Sequence, residues 1–178
     1  MKKLAFAGFL LLIVLLFGFN YAYSQESDFE EVIKVCKNLC SFVNNNLKFC
    51  ERICEIEIFD PRWRLYNFNS LGSAYFYDPE SISTSYNIVK VWTKIIYSEK
   101  DKQRYIKKFG KKYKKLDYSL SLSEIDCSKK RYRVLNLVYY ALNGSVIDIT
   151  DNFLAEWHSI IPDSVQETLF EEVCETEE

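Results

Sequence analysis

The chain has 178 residues, of which 48% are hydrophobic and 16% aromatic, and its formal net charge is −2 at pH 7. This composition excludes an intrinsically disordered chain, because such chains carry few aromatic residues and a high net charge. The length fits one compact domain with an appendage better than several domains.

The N-terminal segment has the pattern of a secretory signal. Lys2 and Lys3 precede the uncharged run Leu4–Phe19, and Ala22-Tyr23-Ser24 places small residues where a signal peptidase cleaves. The run is shorter than the roughly 20 apolar residues that a spanning helix needs. We therefore predict a signal peptide at residues 1–24 and an exported protein in the periplasm, at the cell surface or secreted. The alternative is an uncleaved N-terminal anchor, which would be the chain's contact with a membrane.

Two C-x3-C motifs lie symmetrically about a run of three asparagines. Their cysteines are Cys36, Cys40, Cys50 and Cys54. Residues four apart share one face of a helix, so two antiparallel helices would bring Cys36 to Cys54 and Cys40 to Cys50. An even number of cysteines in an exported chain favours such disulfides, although a zinc site with four thiolate ligands is the alternative. We predict a helical hairpin at residues 25–58 that is held by nested disulfides.

From Arg62 onward, helical periodicity gives way to alternating patterns rich in β-branched and aromatic residues, which are typical of strands. The predicted strands are Trp63–Phe68, Ala74–Tyr77, Asn87–Tyr97, Tyr118–Cys127, Arg131–Tyr140 and Val146–Ile149. Asp78-Pro79 predicts a turn, and Asn143-Gly144 predicts a tight hairpin. We predict an α+β fold, with an antiparallel β-meander and a C-terminal helix in a sheet domain at residues 60–178.

The segment between the third and fourth of these strands is strongly basic. It holds nine basic residues and one acidic residue between positions 100 and 115. Seven cations form a candidate polyanion-binding surface: Arg104, Lys107, Lys108, Lys111, Lys112, Lys114 and Lys115. On one continuous helix most of them would share a side, interleaved with Tyr105, Phe109 and Tyr113, and would attract anionic lipid headgroups, lipopolysaccharide or sulfated glycans. Nucleic acid is not an expected partner in this compartment. The alternative is a solvated hairpin loop whose lysines keep the chain soluble.

The C-terminal segment predicts a helix that a disulfide fastens to the sheet. Ser164-x-x-Glu167 is a capping box, and Leu169 and Val173 belong to the apolar stripe that follows it. Once the symmetric motifs are paired, Cys127 and Cys174 remain and by elimination form the third bridge. The long loop that this bridge closes corresponds to roughly 4 kcal/mol of chain-entropy stabilisation.

Few residues point to catalysis. His158 is the only histidine and follows Trp157, which favours a structural role over a metal site or a histidine-based triad. The five glycines are scattered, without the spacing of a phosphate-binding loop. We predict a protein that is not an enzyme, with no catalytic residues, no cofactor and no bound metal.

An ordered set of aromatic residues and cysteines runs through residues 62–174. It consists of Trp63-Arg64-Leu65, Tyr75-Phe76-Tyr77-Asp78-Pro79-Glu80-Ser81-Ile82, Asn87-Ile88-Val89-Lys90-Val91-Trp92, Cys127, Arg131-Tyr132-Arg133, Tyr140, Gly144, Trp157, Ile161-Pro162-Asp163-Ser164 and Val173-Cys174. This order resembles the surface-adhesin protein E-like family. The resemblance implies an exported bacterial domain with an antiparallel sheet, a C-terminal helix and a Cys127–Cys174 bridge, and the family name implies adhesion to host surfaces. Two features depart from the family's pattern: the cysteine hairpin is not part of it, and the connection from Tyr97 to Tyr118 is long and unusually basic.

Two functions from different classes are compatible with these features. The first is an exported bacterial binding or adhesion domain that contacts a host matrix protein or an anionic envelope polymer. The alternative is an envelope structural or assembly protein whose cysteine hairpin contacts a protein partner. Salt-sensitive binding to heparin-like polymers would favour the first, and capture of a partner by the hairpin alone would favour the second.

Overall fold

A computed structural model describes residues 34, 36–38, 40–41, 46–60, 62–151 and 155–174. The predicted signal peptide lies outside these residues. Within the described part, no helix is both long enough and apolar enough to cross a membrane.

Helices flank a large sheet in the described residues. The helices are α1 (Leu47–Phe59), α2 (Glu99–Phe109) and α3 (Val165–Cys174), with 3-10 helices at Pro79–Ser81 and Lys111–Lys115. The strands are β1 (Arg64–Phe68), β2 (Ala74–Tyr77), β3 (Ser83–Ser85), β4 (Ile88–Ile96), β5 (Leu116–Asp126), β6 (Arg131–Ala141), β7 (Val146–Asp151) and β8 (His158–Ser159). Upstream of α1, the described residues Lys34, Cys36–Asn38, Cys40 and Ser41 are also helical.

The sheet is antiparallel throughout, with its main strands in the order β1-β2-β4-β5-β6-β7. The predicted α+β meander with a C-terminal helix is therefore confirmed. Two short strands were not predicted: β3, which pairs with β4, and β8, which pairs with β6. Both lack the apolar alternation that reveals a strand, because β3 is a run of exposed Ser and Thr and β8 has only two residues.

All three predicted disulfides are present. The Cα–Cα distances are 5.9 Å for Cys36–Cys54, 5.5 Å for Cys40–Cys50 and 5.7 Å for Cys127–Cys174. Every cysteine is thus oxidised, which leaves no thiolate for the alternative zinc site. The third bridge joins the last residue of α3 to the residue that follows β5, so it ties the C-terminal helix to the centre of the sheet.

The strand β5 shows how the two faces of the sheet differ. Ser119, Ser121 and Ser123 lie on the face that α2 and α3 cover, and all three are buried. Leu120 and Leu122 point to the opposite face and remain partly exposed. The three serines therefore lie beneath the helices together with Ile125, whereas Leu120 and Leu122 lie on the face where cover is incomplete.

Each helix buries its apolar side against a separate part of the sheet. Leu169, Phe170 and Val173 of α3 pack against a cluster that includes Tyr77 and Val91. The hydrophobic cluster around α2 and the 3-10 helix that follows it contains Tyr97, Tyr113, Leu116 and Tyr139. On the other face, Ile53 of α1 packs with Trp63, Ala74, Phe76 and Ile96. The sheet therefore packs against helices on both faces, in three hydrophobic clusters.

The predicted boundary between a hairpin at residues 25–58 and a sheet domain at residues 60–178 stays a prediction, but α1 packs directly onto the sheet. Ile53 has no exposed surface, and the Arg52 guanidinium donates two hydrogen bonds of 2.6 Å to the carboxylate of Asp117. Asp117 is only 4% exposed, and a buried carboxylate that loses its partner is costly. We therefore expect α1 to stabilise the sheet domain.

Candidate functional site

The basic segment consists of α2 and the 3-10 helix Lys111–Lys115, separated by Gly110. Gly110 has φ 94°, in the left-handed region that side chains other than glycine rarely adopt, and its backbone N–H donates to the carbonyl oxygen of Ile106. The segment is thus neither one continuous helix nor an irregular hairpin loop. As a consequence, the predicted cations are distributed over two short helices, and the backbone conformation of Gly110 sets the orientation of one helix relative to the other.

The N-terminus of α2 is fixed by a buried acidic residue. Ser98 caps the helix by accepting a hydrogen bond from the backbone N–H of Asp101 at 3.2 Å. The Asp101 side chain has no exposed surface and accepts hydrogen bonds from the Ser73 hydroxyl at 2.6 Å and the Asn69 amide at 2.7 Å. Arg104 lies 2.7 Å from the other carboxylate oxygen. These contacts hold α2 to the loop between β1 and β2, and so fix the orientation of its exposed side.

The inner side of α2 packs on tyrosines of the sheet. The ring of Tyr105 lies 4.9 Å from that of Tyr97 and 5.8 Å from that of Tyr139, measured between centroids. Ile106 packs against the same cluster. Because these residues face inward, the lysines that alternate with them in sequence face solvent.

The 3-10 helix is fixed to β7 by one carboxylate. The hydroxyl of Tyr113 and the ammonium group of Lys112 each donate a hydrogen bond of 2.6 Å to the same oxygen of Asp148. These two hydrogen bonds hold the pKa of Asp148 below its ordinary value of 3.8, and the hydrogen bond from Lys112 has the larger effect. Burial raises the pKa of Tyr113, so its hydroxyl stays protonated and able to donate.

We expect Asp148→Asn to lower the thermal unfolding temperature near neutral pH, because the amide loses the charged contact with Lys112. The loss should be at most about 1 kcal/mol, since the pair is partly exposed. The depressed pKa means that the stabilisation is complete above about pH 4 and is lost as the pH falls through the folded-state pKa. Thermal melts of parent and variant should therefore converge at low pH. A difference that stays constant from pH 7 downward would contradict this assignment.

All seven predicted cations of the segment are exposed. Arg104 and Lys112 have acidic partners: Asp101, three residues before Arg104 in α2, and Asp148, on the distant strand β7. The other five form no ion pair with any acidic residue in the described ranges: Lys107, Lys108, Lys111, Lys114 and Lys115. The surface therefore keeps most of its positive charge available for an external anion.

Two cations and two aromatic rings of α2 line a cavity of about 170 Å³, which we call the basic notch: Arg104, Tyr105, Lys108 and Phe109. Arg104 and Lys108 are four residues apart, as are Tyr105 and Phe109, so each pair lies on adjacent turns of the helix. Phe109 is 46% exposed, and the ammonium group of Lys108 lies 5.0 Å from the centroid of its ring. Such a notch combines charges for an anionic group with an aromatic surface for the apolar side of a sugar.

The predicted structural histidine lies away from this surface. His158 is exposed on β8, where it is paired with Tyr132 of β6, and the two rings are 5.8 Å apart. The adjacent Trp157 is covered by the guanidinium groups of Arg131 and Arg133, at 4.7 and 4.6 Å from its ring. Within the described residues, no group of three potential metal ligands comes together.

A family model of surface-adhesin protein E matches residues 63–175. The chain belongs to the surface-adhesin protein E family. The matched range begins at the first predicted strand and includes the basic segment and α3, whereas the cysteine hairpin lies outside it. The sequence-based resemblance is thereby confirmed, and the chain is assigned to a family of surface adhesins.

Several solved structures of Haemophilus influenzae protein E are similar to this chain. Crystal form II is 15% identical, and its match covers 57% of this chain and 80% of the protein E chain, with a TM-score of 0.39. The selenomethionine form is 14% identical, and its match covers 65% of this chain and 87% of the protein E chain, with a TM-score of 0.41. A further structure of protein E is 15% identical, and its match covers 64% of this chain and 84% of the protein E chain, with a TM-score of 0.41. No curated protein matches the sequence, so the family assignment rests on the family model.

Proposed function

We propose that this protein is an exported, non-enzymatic surface adhesin that binds anionic sugar polymers of the host matrix or of a cell envelope through the basic notch and the lysines around it. The observation that carries the proposal is the notch itself, where Lys108 lies over the exposed ring of Phe109 and Arg104 lies over the ring of Tyr105. A sulfate or carboxylate group would be held by the two cations. The apolar side of the sugar ring to which it is attached would lie on the aromatic surface.

Electrostatics favour an extended anion over a single small one. Lys107 and Lys108 lie in the last turn of α2, where the negative end of the helix dipole stabilises a positive charge. Lys111, Lys114 and Lys115 continue the surface beyond Gly110, also without acidic partners in the described ranges. A polymer that spans both helices would neutralise several of these charges at once. The attraction should fall with salt, because the Debye length decreases from about 10 Å at 0.1 M to about 3 Å at 1 M.

We expect the triple variant in which Lys107, Lys108 and Lys111 are replaced by Gln to bind heparin roughly tenfold more weakly than the parent at low salt. Each exposed ionic contact contributes a few tenths to 1 kcal/mol, and about 1.4 kcal/mol corresponds to a tenfold change in affinity. Lys112 is left unchanged, because its contact with Asp148 has a structural role. Binding is measured by titration with heparin at low and high salt, and the thermal unfolding temperature should change little.

The matched control replaces Lys34, Lys48 and Lys129 by Gln. These lysines are exposed, have no acidic partner in the described ranges and lie outside the basic segment, so the control removes the same net charge. The control should bind heparin nearly as well as the parent at equal ionic strength. Equal losses in the two triple variants would mean that net charge rather than the basic notch determines binding, and parent-like binding by the test variant would refute the proposal.

The alternative function, a protein partner at the cysteine hairpin, stays a prediction with less support. Cys50, Ile53 and Cys54 of α1 are all fully buried within this chain, so that side of α1 offers no surface to a partner. Leu47, at the start of α1, is the exposed apolar residue of the described hairpin, with 62% of its surface accessible. One exposed leucine is ordinary for a protein surface and needs no partner to explain it.

A further inference from the structure

A second cavity, of about 140 Å³ and partly open to solvent, lies between the sheet, α2 and α3. Six tyrosines contribute to its wall: Tyr66, Tyr75, Tyr97, Tyr105, Tyr132 and Tyr139. The remaining lining residues are Ser, Thr, Gln and aliphatic residues, so that none of the residues around this cavity carries a formal charge. We call it the tyrosine cavity. Tyr105 also lines the basic notch, but the other notch residues, Arg104, Lys108 and Phe109, do not line this cavity.

The cavity exists because the central strand carries small residues where a filled core would carry large ones. Ser121 and Ser123 of β5 form part of its floor, and the Ser121 hydroxyl lies 2.7 Å from that of Thr93 on β4. Leu169 of α3 and Tyr105 of α2 close the cavity from two sides. A larger side chain at either serine would fill this space. Protein interiors are normally packed at high density, so an open cavity here is unusual.

Three polar groups in the wall are available to a ligand. Within the described ranges, the Tyr66 hydroxyl, the Ser123 hydroxyl and the Gln166 amide make no side-chain hydrogen bond with another residue. Burial raises the pKa of Tyr66, so its hydroxyl stays neutral over the physiological range. Neutral donors and acceptors in an aromatic wall suit an uncharged ligand, because a buried ion without a counter-charge would lose its hydration uncompensated.

The volume points to a single ring. An apolar cavity of roughly 150 Å³ is known to hold benzene, and tyrosine rings make favourable edge-to-face contacts with another aromatic ring. A sugar ring is a poorer fit, since it carries hydroxyls around its whole circumference and would bury more polar groups than these three partners satisfy. A phenol needs only one partner for its hydroxyl and buries its remaining surface against carbon.

We propose that the tyrosine cavity binds one uncharged phenol-type ring, with its hydroxyl held by Tyr66 and Gln166 and its face against the surrounding tyrosines. The ring could belong to a free phenol or to a tyrosine side chain of a bound polypeptide, and both sources share this chemistry. The site shares only Tyr105 with the basic notch, and it does not depend on the function proposed for the notch.

The test uses the full chain without its predicted signal segment, with all disulfides intact, and 4-methylphenol as the probe in an NMR or calorimetric titration. We expect saturable binding of 4-methylphenol, weaker binding of toluene and no binding of benzoate. Tyr66→Phe and Gln166→Ala should each weaken binding about fivefold, the effect of one lost hydrogen bond. Ser123→Leu should abolish binding by filling the cavity. N-acetyltyrosine amide distinguishes the sources: binding favours a polypeptide tyrosine, and exclusion favours a free phenol.

Matched controls change the same residue types on the surface. Tyr86 is 98% exposed and Gln103 is exposed on α2, so Tyr86→Phe and Gln103→Ala should leave binding unchanged. If Ser123→Leu fails to fold, the two milder cavity variants still decide the outcome. The proposal is overturned if 4-methylphenol does not bind at millimolar concentration, or if Tyr66→Phe and Gln166→Ala both bind it as tightly as the parent.

Discussion

Replacing both Cys127 and Cys174 by Ala is expected to lower the free energy of unfolding by about 4 kcal/mol. The bridge joins residues 47 positions apart and fastens the end of α3 to the sheet. Without it, the unfolded chain gains the conformational freedom that the closed loop denies it. The apolar contacts of Leu169, Phe170 and Val173 would then have to hold α3 to the sheet alone. Urea titration under non-reducing conditions measures the loss.

The matched control for this bridge is the double replacement of Cys40 and Cys50 by Ala. That bridge spans only 10 positions and lies within the outer Cys36–Cys54 bridge, which continues to restrict the unfolded hairpin. Its removal should therefore cost less than removal of Cys127–Cys174. Equal losses for the two bridges, or an unchanged unfolding free energy without Cys127–Cys174, would be inconsistent with this view of how α3 is held.

Ile53→Ala is expected to destabilise the protein by about 2–5 kcal/mol, the range for truncating a fully buried isoleucine. Ile53 has no exposed surface and fills the space between α1 and the side chains of Trp63, Phe76 and Ile96. The matched control is Leu47→Ala on the same helix, which should have little effect because Leu47 is 62% exposed. Thermal and urea unfolding of both variants give the comparison.

The packing of α1 on the sheet also affects the expected stability of a fragment of residues 60–178. If the sheet domain predicted from the sequence at residues 60–178 is independent, this fragment should fold alone, with a cooperative transition. The structure adds that the fragment would lose Ile53 and leave the buried Asp117 without its two hydrogen bonds from Arg52. We therefore expect it to unfold at a lower temperature than the longer chain. An unchanged unfolding temperature would show that α1 contributes nothing to the sheet domain.

The sequence predicts the architecture well because its strongest signals are local. Alternation of apolar and polar residues defines the long strands, and the symmetric cysteine spacing fixes the nested bridges without any knowledge of the sheet. Alternation does not say which face of β5 the helices cover. The larger leucines would be expected beneath them, yet Ser119, Ser121 and Ser123 are buried there, together with Ile125.

The candidate sites were only partly predictable, because they depend on contacts distant in sequence. The cations of the basic segment are evident from composition, but the break at Gly110 depends on its backbone conformation. The anchoring of α2 through Asp101 and Ser73 joins residues 28 positions apart, and the contact of Tyr113 with Asp148 joins residues 35 apart. The tyrosine cavity gives no sequence signal at all, since its lining comes from five strands and two helices.

The measurement that tests the central proposal most directly is an NMR titration of the isotope-labelled protein, disulfides intact, with a short heparin oligosaccharide at low salt. We predict that the backbone amides of α2 and the 3-10 helix Lys111–Lys115 shift first, with Arg104, Lys108 and Phe109 among the largest changes, and that the shifts vanish at 1 M salt as screening removes the attraction. Shifts confined to other surfaces, or the absence of any saturable shift in the basic segment, would contradict the assignment of this surface as the adhesive one.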